Sequence, residues 1–342
     1  MGMNKRCVLL YPFVLIYWVI TSIRNKFFDW GVLPTYKIQL PSVGVGNLST
    51  GGTGKSVVVD YLISNFKKDF RIAVLSRGYG RMLKGVQIAD EKSTATTIGD
   101  EPFQFYSKHQ DIEVVVAEKR IFGLKKIEKL PSKVNLLILD DILQHRYVKP
   151  TTLVLITTYD TPYVSDTLLP SGNLRESKSG AQRADIVLVT KCPEKLTVQQ
   201  LKFFKERLNL LPKQKIFFTK IKYSSTVQNT KTKKDLTKLK TPFVLVTGIA
   251  DPTPLEAYVK SLGLDFIHFS FPDHHAFTSQ DIKKVKKAQG EGDILTTEKD
   301  YTRLYPALQD DNLFYIPIEM AFLDAAMELE FKVFIKGKII SN

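Results

Sequence analysis

Residues 46–56, GNLSTGGTGKS, decide the fold of this chain. An apolar segment ends just before them at Val45, and the stretch VVVDYLI follows at residues 57–63. A strand, a glycine-rich loop, a Lys-Ser pair and a helix occur here in the order that a phosphate-binding loop requires. Ser49 stands where the usual pattern has its first glycine. The segment predicts that the chain binds a nucleoside triphosphate.

The glycine-rich loop also predicts the nucleotide contacts. Glycines let backbone N–H groups turn toward phosphate oxygens, and the N-terminus of the following helix adds partial positive charge. We expect Lys55 to reach the β- and γ-phosphates and the Ser56 hydroxyl to bind Mg²⁺. The residues expected to contact the nucleotide are Ser49, Thr50, Gly51, Gly52, Thr53, Gly54, Lys55 and Ser56. The alternative is a turn that only caps an ordinary helix, and the flanking strand and helix argue against it.

Composition indicates a globular protein with an anionic partner. The 342 residues suffice for two domains, and the shares of 44% apolar and 25% charged residues are ordinary. The formal net charge of +14 indicates nucleic acid, an acidic membrane surface or a polyphosphorylated substrate as the partner. Nucleic acid is the least favoured, because the lysine clusters of residues 231–240 lack interleaved aromatic residues. Cys7 and Cys192 lie far apart, which argues against a disulfide or a cysteine metal site.

The N-terminus contains an uncharged apolar segment at residues 7–23, with Lys5 and Arg6 before it and Arg24 and Lys26 after it. As a helix this segment would be about 25 Å long, at the lower limit for crossing a bilayer. Basic residues at both ends favour a membrane-associated helix that lies in the interface. A single span, a cleaved secretory signal and a buried core helix are the alternatives, and no small-residue cleavage site supports the signal.

Short apolar runs alternate with helical patterns along the rest of the chain. Several runs consist almost entirely of Val, Ile and Leu, as expected of strands buried on both faces of a parallel sheet. The predicted strands are residues 42–45, 71–75, 113–117, 134–139, 152–156, 186–189, 215–218, 243–246, 265–268, 293–296 and 312–316. The predicted helices are residues 56–66, 118–129, 198–208, 254–262 and 279–289.

This alternation predicts an α/β fold of the P-loop NTPase kind, with a doubly wound, mostly parallel sheet. We predict the membrane-associated helix in residues 1–30 and the P-loop domain in residues 31–222. The polar, lysine-rich residues 223–240 are predicted to be a linker or ribbon. A second, smaller α/β domain is predicted in residues 241–342, because an apolar run restarts there.

Carboxylates occur at two places that suit phosphate chemistry. Asp140 and Asp141 follow the apolar run LLIL, and ligands of open α/β sheets bind at such strand ends. We expect one of the two to bind Mg²⁺ directly or through water. Asp100 and Glu101 stand at a predicted helix start, where they either interact with the helix dipole or act as a base or metal ligand. In the second case Asp100 would accept the proton of an acceptor hydroxyl.

Histidines and arginines complete the set of candidate site residues. His274 and His275 lie in FPDHHAFT without the third ligand of a zinc site, so pairing with a catalytic carboxylate is favoured. Arginines such as Arg120 and Arg175 suit phosphate contacts, although each taken alone is more often part of a surface ion pair. Residues 189–193, VTKCP, lack the asparagine and aspartate of the guanine-reading motif, which argues against GTP.

The ordered motifs resemble those of the tetraacyldisaccharide 4'-kinase family, the lipid A 4'-kinases of Gram-negative bacteria. The resemblance runs from about residue 40 to 305 and includes GNLSTGGTGKS, SRGYGR, GDEP, LILDDILQHR, LPSGNLRE, ADIVLVTK, FPDHHAFT and LTTEKDYTRL. It implies transfer of the ATP γ-phosphate to the 4'-hydroxyl of a tetraacylated disaccharide 1-phosphate. It also implies that residues 31–222 are the kinase domain, working at the cytoplasmic face of the bacterial inner membrane.

The same resemblance implies roles for individual residues. Lys55 and Ser56 match the phosphate and Mg²⁺ contacts, and Asp140 or Asp141 matches the metal carboxylate. Asp100 matches the catalytic base, with His274 or His275 as its partner. The positions matching substrate or phosphate contacts are Tyr79, Glu101, Arg120, Gln144, His145, Arg175 and Glu176. The implied partners are an anionic acylated disaccharide lipid and the membrane surface, with no nucleic acid and no protein partner.

A second hypothesis is a membrane-associated P-loop switch, either a partitioning-type ATPase or a GTPase with a protein partner. It accounts for the loop, for Asp140 and Asp141, and for the N-terminal helix. It leaves Asp100 and the paired histidines unexplained. An ATPase that binds nucleic acid would rest on net charge alone.

Overall fold

The apolar runs form the central strands of two sheets. The computed structural model describes residues 10–273 and 275–341. The strands are β1 (Tyr36–Lys37), β2 (Ser42–Asn47), β3 (Ile72–Ser76), β4 (Gln87–Ile88), β5 (Glu113–Val116), β6 (Leu136–Leu139), β7 (Val148–Lys149), β8 (Thr152–Thr158), β9 (Ile186–Thr190), β10 (Lys215–Tyr223), β11 (Thr226–Gln228), β12 (Lys233–Asp235), β13 (Phe243–Thr247), β14 (Phe266–Ser270), β15 (Ile294–Thr297), β16 (Leu313–Ile316) and β17 (Ile318–Phe322). All eleven strands predicted from the sequence are confirmed, with ends that differ by a few residues.

Helices connect and cover these strands. The helices are α1 (Tyr11–Asp29), α2 (Lys55–Phe66), α3 (Ala95–Ile98), α4 (Asp100–Lys108), α5 (Arg120–Ile127), α6 (Val198–Leu208), α7 (Thr253–Ser261), α8 (Ser279–Gln289), α9 (Glu298–Leu308) and α10 (Ala325–Ile340). Short 3₁₀ turns occupy Tyr163–Ser165, Lys178–Arg183 and Leu236–Lys238. All five predicted helices are present, whereas α9 and α10 had not been predicted.

The larger sheet has the strand order β17-β10-β9-β8-β2-β6-β3-β5-β4 in the described chain. The strands from β10 to β5 are parallel, and the edge strands β4 and β17 are antiparallel. One face packs on α2 and α10, and the other packs on α5 and α6. Burial on both faces explains why the strands are nearly all aliphatic. This arrangement confirms an α/β fold with a mostly parallel sheet.

Strand β2 lies at the point where the winding of this sheet reverses. It pairs with β6 on one side and with β8 on the other. The chain winds toward β3 and β5 in its first part and adds β8, β9 and β10 on the opposite side later. Such a reversal opens a crevice at the carboxyl end of the central strand. Gly46 in β2 permits close packing there, because a Cβ atom would lie 2.7 Å from the Leu143 Cβ.

The smaller sheet has the order β12-β11-β16-β15-β13-β14, with β14, β13, β15 and β16 parallel. Residues 223–240, expected to be a linker or ribbon, contribute β11 and β12 to this sheet. The Lys234 ammonium lies 2.8 Å from the buried Asp293 carboxylate and anchors this ribbon. The last segments, β17 and α10, return to the larger sheet, where β17 pairs with β10. The domain limits drawn from the sequence had grouped these segments with the smaller unit.

Candidate active site

The glycine-rich loop joins the end of β2 to the start of α2. Gly51 and Gly54 adopt positive φ values of 100° and 91°, which side chains with a Cβ atom disfavour. Gly54 immediately precedes the first residue of α2, Lys55. The loop tip at residues 50–52 is exposed, whereas Thr53 is buried. The backbone therefore turns sharply onto a helix N-terminus, as the sequence pattern predicts.

Hydrogen bonds hold this loop in place from both sides. The Asn47 side-chain amide donates to the Thr53 hydroxyl at 2.8 Å, and the Lys55 ammonium donates to the Asn47 side-chain oxygen at 3.2 Å. The Thr190 hydroxyl donates to the Thr53 carbonyl at 2.7 Å. The Thr50 backbone N–H donates to a carbonyl of the 167–176 segment at 2.7 Å. These hydrogen bonds fix the loop to β2, to the end of β9 and to the 167–176 segment.

A hydrogen bond connects α2, the helix that follows the glycine-rich loop, to α4, the helix that begins with Asp100. The Ser56 hydroxyl of α2 donates to the Glu101 carboxylate of α4 at 2.6 Å. Asp100 and Glu101 form the first turn of α4, where carboxylates interact favourably with the helix dipole. This contact brings Asp100, Glu101 and the phosphate-loop candidate Ser56 together.

Asp140 is the most deeply buried carboxylate at the end of β6, with 1% of its surface exposed. One carboxylate oxygen accepts a 2.8 Å hydrogen bond from the Ser76 hydroxyl. The other finds no hydrogen-bond partner among the described residues. Burial raises the pKa of Asp140 well above its usual range, and the nearby Glu101 and Asp141 carboxylates raise it further. A buried carboxylate with one oxygen free of hydrogen bonds is suited to a bound cation, whose charge would favour the ionised form.

Magnesium fits this group of side chains. No group of three His, Cys, Asp or Glu side chains in the described residues is arranged to hold a metal ion by itself. Mg²⁺ is generally held through one or two carboxylates together with water and phosphate oxygens. Asp140, with its unpaired oxygen, and the Ser56 hydroxyl match that chemistry.

Asp141 lies between two cations. The Arg175 guanidinium contacts both carboxylate oxygens at 3.0 and 2.9 Å, and the Lys55 ammonium lies 3.8 Å from one of them. Burial alone would raise the pKa of Asp141, but Lys55 and Arg175 outweigh it and lower that pKa. The residue has a φ of 48°, so the chain turns in the left-handed region directly after Asp140. Adjacent carboxylates in one site therefore have opposite electrostatic environments.

Arg120 and His145 lie beside these carboxylates. The buried Arg120 guanidinium donates to the backbone carbonyls of Ala117 and Asp140 at 2.7 and 3.0 Å. It thus holds two strand ends together, and burial lowers its pKa to about 10. Burial, followed by Arg120 and Arg77, lowers the pKa of His145 to about 4. His145 is therefore neutral at physiological pH.

Gln144 and Glu176 belong to a hydrogen-bonded network at the mouth of the site. The Gln144 amide donates to the Asn47 carbonyl at 2.9 Å and to the Glu176 carboxylate at 3.1 Å. The buried Glu176 also accepts from Arg183 at 2.7 Å and from Asn25 of α1 at 2.8 Å. These two side chains join β2, the 175–183 segment and α1.

Helix α1 attaches to the site through its polar side chains. The Tyr17 hydroxyl donates to the Arg175 carbonyl at 2.7 Å, and the Arg24 guanidinium donates to the Gln144 carbonyl at 2.9 Å. Most of the remaining surface of α1 is apolar and exposed, and includes Tyr11, Phe13, Leu15, Ile16, Trp18, Val19, Ile20, Ile23 and Phe27. Across the described residues, no helix has both the length and the apolar character needed to cross a membrane.

The remaining predicted residues lie around the Asp100 end of the site. Tyr79 is 79% exposed on a loop whose Gly78 approaches the Ile98 carbonyl so closely that a Cβ atom would lie 2.5 Å from it. The His275 imidazole lies 3.0 Å from the Asp281 carboxylate and stacks on Phe271. His274 lies outside the described residues.

Arg303 was not predicted as a site residue, although it belongs to the quoted motif LTTEKDYTRL. Its Nε atom lies 3.7 Å from an Asp100 carboxylate oxygen, and one terminal nitrogen donates to the His275 carbonyl at 3.2 Å. Its place in that motif was the signal in the sequence, and the structure adds that Asp300 and Arg303 lie three residues apart on one face of α9. The structure shows an ion pair between them.

Comparison with known proteins assigns the family. The family model described as tetraacyldisaccharide-1-P 4'-kinase matches residues 6–335. A tetraacyldisaccharide 4'-kinase of Flavobacterium johnsoniae is 42% identical to this chain, over 94% of each protein. Another from Bacteroides thetaiotaomicron is 38% identical, over 97% of this chain and 93% of its own length.

A solved structure has the same fold over the same extent. The crystal structure of LpxK from Aquifex aeolicus in complex with ATP has a TM-score of 0.75 and 29% sequence identity to this chain. The similarity covers 95% of this chain and 97% of the Aquifex protein. Sequence and fold thus agree nearly from end to end, and the chain belongs to the tetraacyldisaccharide-1-P 4'-kinase family.

Proposed function

We propose that this protein transfers the γ-phosphate of ATP to the 4'-hydroxyl of a tetraacyldisaccharide 1-phosphate, a step of lipid A biosynthesis. Membership of the family supports the identity of the reaction. The candidate active site contains the side chains that such a phosphoryl transfer needs. The observation that carries the proposal is the 2.6 Å hydrogen bond from Ser56 to Glu101. It joins a glycine-rich loop suited to phosphates to the helix that carries a candidate base, Asp100.

The proposed nucleotide site is the P-loop formed by residues 49–56. Its backbone N–H groups and the N-terminus of α2 would bind the phosphates, and Lys55 would neutralise charge on the transferring group. Ser56 with Asp140 or Asp141 would hold Mg²⁺, which supplies charge neutralisation at the phosphates when bound. The ion pairs of Asp141 with Lys55 and Arg175 support this assignment, because they keep both cations beside the phosphate path.

Asp100 is proposed to accept the proton of the attacking hydroxyl as the oxygen–phosphorus bond forms. Phosphoryl transfer depends mainly on position and charge neutralisation, so a base fixed at a helix start suits it. The paired histidines His274 and His275 are proposed to assist. Within the described residues, His275 reaches this region through its backbone carbonyl, while its imidazole contacts Asp281.

The acceptor is proposed to enter from the side of α1. Residues Tyr79, Glu101, Arg120, Gln144, His145, Arg175 and Glu176 are proposed to border it. The exposed apolar face of α1 and the basic surface suit an acidic lipid surface, so we propose that the protein associates with the cytoplasmic face of the inner membrane. The two-domain division is likewise proposed, with β17 and α10 on the larger sheet.

A labelling assay tests the reaction itself. The full chain is given ATP labelled at the γ-phosphate and a tetraacyldisaccharide 1-phosphate in detergent with Mg²⁺. Label in the extracted lipid is the expected result. Release of labelled phosphate without lipid labelling would instead support the P-loop switch.

The Asp100→Ala variant tests the proposed base. Loss of the proton acceptor should lower kcat by about 100-fold or more, while the KM for ATP changes little. The assay is the same lipid labelling, measured over a range of ATP concentrations. Turnover near that of the wild type would remove Asp100 from the mechanism. The Asp111→Ala variant, which changes an exposed carboxylate three residues beyond the end of α4, is the matched control.

A further inference from the structure

Helix α9 of the smaller sheet packs against α4, the helix that begins with Asp100. The two helices run in opposite directions, with ion pairs near both ends of α4. At its last residue, the Lys108 ammonium lies 3.6 Å from the Glu298 carboxylate, which begins α9. At its first residue, the Asp100 carboxylate lies 3.7 Å from the Nε atom of Arg303. Side chains of α9, which belongs to the smaller α/β unit, thus contact both ends of the helix that carries the candidate base Asp100.

Arg303 is itself held firmly by the smaller unit. Its side chain is 11% exposed, and its guanidinium packs over the Phe277 ring at 6.0 Å. The terminal nitrogens are ion-paired with the buried Asp300 and donate to the carbonyls of Gly248 and His275, each at 3.2 Å. Asp300 is fixed in turn, because it accepts the Gly248 backbone N–H at 2.8 Å.

The Nε atom of Arg303, which lies near Asp100, is buried and makes no hydrogen bond to any other described residue. Only the terminal nitrogens are needed to hold Arg303 to α9 and to the 248 and 275 carbonyls. A planar guanidinium can serve both purposes at once, whereas a lysine ammonium cannot present separate edges.

We propose that Arg303 is a positioning residue for the 4'-kinase reaction, holding the Asp100 carboxylate in the orientation that accepts the hydroxyl proton. The proposal rests on the role of Asp100 in the proposed function. As the acceptor oxygen bonds to the γ-phosphorus and the bond to ADP breaks, the hydroxyl proton passes to Asp100. Arg303 acts through Asp100 and contacts neither the hydroxyl nor the phosphate in this scheme. In this way a residue of the smaller α/β unit, Arg303, contributes to the active site built on the larger sheet.

The test compares Arg303→Gln and Arg303→Lys with the wild type in the lipid-labelling assay. The glutamine variant should lower kcat by about 100-fold, because a small displacement of a reacting group has effects of this size, and leave the KM for ATP nearly unchanged. The lysine variant should recover only part of that loss. Added methylguanidine should restore part of the turnover of Arg303→Ala.

A double-variant cycle separates this role from general support of the fold. If Arg303 acts through Asp100, Arg303→Gln should cost little further activity in an Asp100→Asn background. The control is Lys234→Gln, which breaks the buried ion pair to Asp293 in the same unit, away from α4. It should lower the melting temperature without lowering kcat.

Two outcomes would overturn the proposal while leaving the proposed function intact. One is an Arg303→Gln enzyme with kcat near that of the wild type. The other is a loss that is fully additive with Asp100→Asn and insensitive to methylguanidine. A wild-type protein that labels no lipid would refute the proposed function itself.

Discussion

Asp140 is a residue whose burial costs folding stability and whose carboxylate is suited to binding a cation. Its carboxylate is buried, has one oxygen without a hydrogen-bond partner in the described chain, and lies near Glu101 and Asp141. Burying a charge in this way costs stability unless a cation compensates it. Carboxylates with strongly shifted pKa values occur mainly at functional sites, so Asp140 is the strongest candidate for holding Mg²⁺.

The Asp140→Asn variant should therefore be more stable than the wild type in the absence of Mg²⁺ and nucleotide. The amide keeps an oxygen for the Ser76 hydroxyl and removes the buried charge, a gain of about 1–2 kcal/mol. Thermal unfolding measures it. Mg²⁺ with ATP should raise the melting temperature of the wild type but hardly that of the variant. Equal shifts in both proteins would contradict a role in metal binding. Asp69→Asn, at an exposed ion pair, is the control.

In α1, polar side chains face the rest of the protein and apolar side chains face outward, which is the reverse of the usual arrangement in a surface helix. Tyr17, Arg24 and Asn25 make hydrogen bonds to the body of the protein, and large apolar side chains face outward. An exposed apolar surface of this extent marks an interaction site. The formal net charge of +14 supports the proposed partner, an acidic lipid surface.

Replacing two outward residues of α1 should weaken the proposed binding to membranes. Ile16→Glu combined with Ile20→Glu removes apolar side chains that each contribute about 1.5–3 kcal/mol when buried, so binding to anionic vesicles should fall at least about tenfold. Vesicle co-sedimentation measures this. The matched control is Val198→Glu with Phe203→Glu, two exposed apolar residues on α6. Equal loss in both double variants would indicate a nonspecific charge effect.

A buried ionic cluster connects the two sheets of the molecule. The Asp60 carboxylate of α2 contacts His109 at 2.7 Å and Lys108 at 2.9 Å, and Lys108 also contacts Glu298 of α9. Helices α2, α4 and α9 therefore meet at one point. Breaking such a pair leaves an uncompensated buried charge.

Stability at acid pH should depend on Asp60. Burial raises the pKa of Asp60, but His109 and Lys108 outweigh it and bring the pKa below its ordinary value of 3.8. The ionised form therefore stabilises the fold above that value, and the contribution is lost as pH falls through the lower native pKa. Burial raises the pKa of Glu298, which acts in the opposite sense.

Asp60→Asn should thus be about 3 kcal/mol less stable than the wild type at neutral pH. The difference should shrink as the pH falls below about 4, because the wild type then loses the ionised Asp60. Denaturant unfolding at several pH values measures both effects. A constant difference across pH would contradict the assignment. Asp111→Asn, at an exposed ion pair with Lys67, should change stability by less than about 1 kcal/mol.

The segments that could be predicted from sequence are those whose partners are close in the chain. The glycine-rich loop, the aliphatic runs of β2 and β6, and the carboxylates at the end of β6 follow from local patterns. The capping box of Thr278 and Asp281 likewise begins α8 where the sequence indicates. The strand pairing of β11, β12 and β17 could not be predicted, because short or polar strands obtain their order from neighbours distant in sequence.

By itself, the sequence determined the α/β class, the phosphate-loop candidate, the carboxylate positions and the family resemblance. Only the tertiary structure decided that α1 turns its polar face inward, that Arg175 pairs with Asp141, and that Arg303 meets Asp100. Periodicity and motif spacing depend on the covalent chain and can be read along it. Contacts between side chains far apart in sequence depend on how helices and sheets pack, and α9 reaches the Asp100 end of α4 only through that packing.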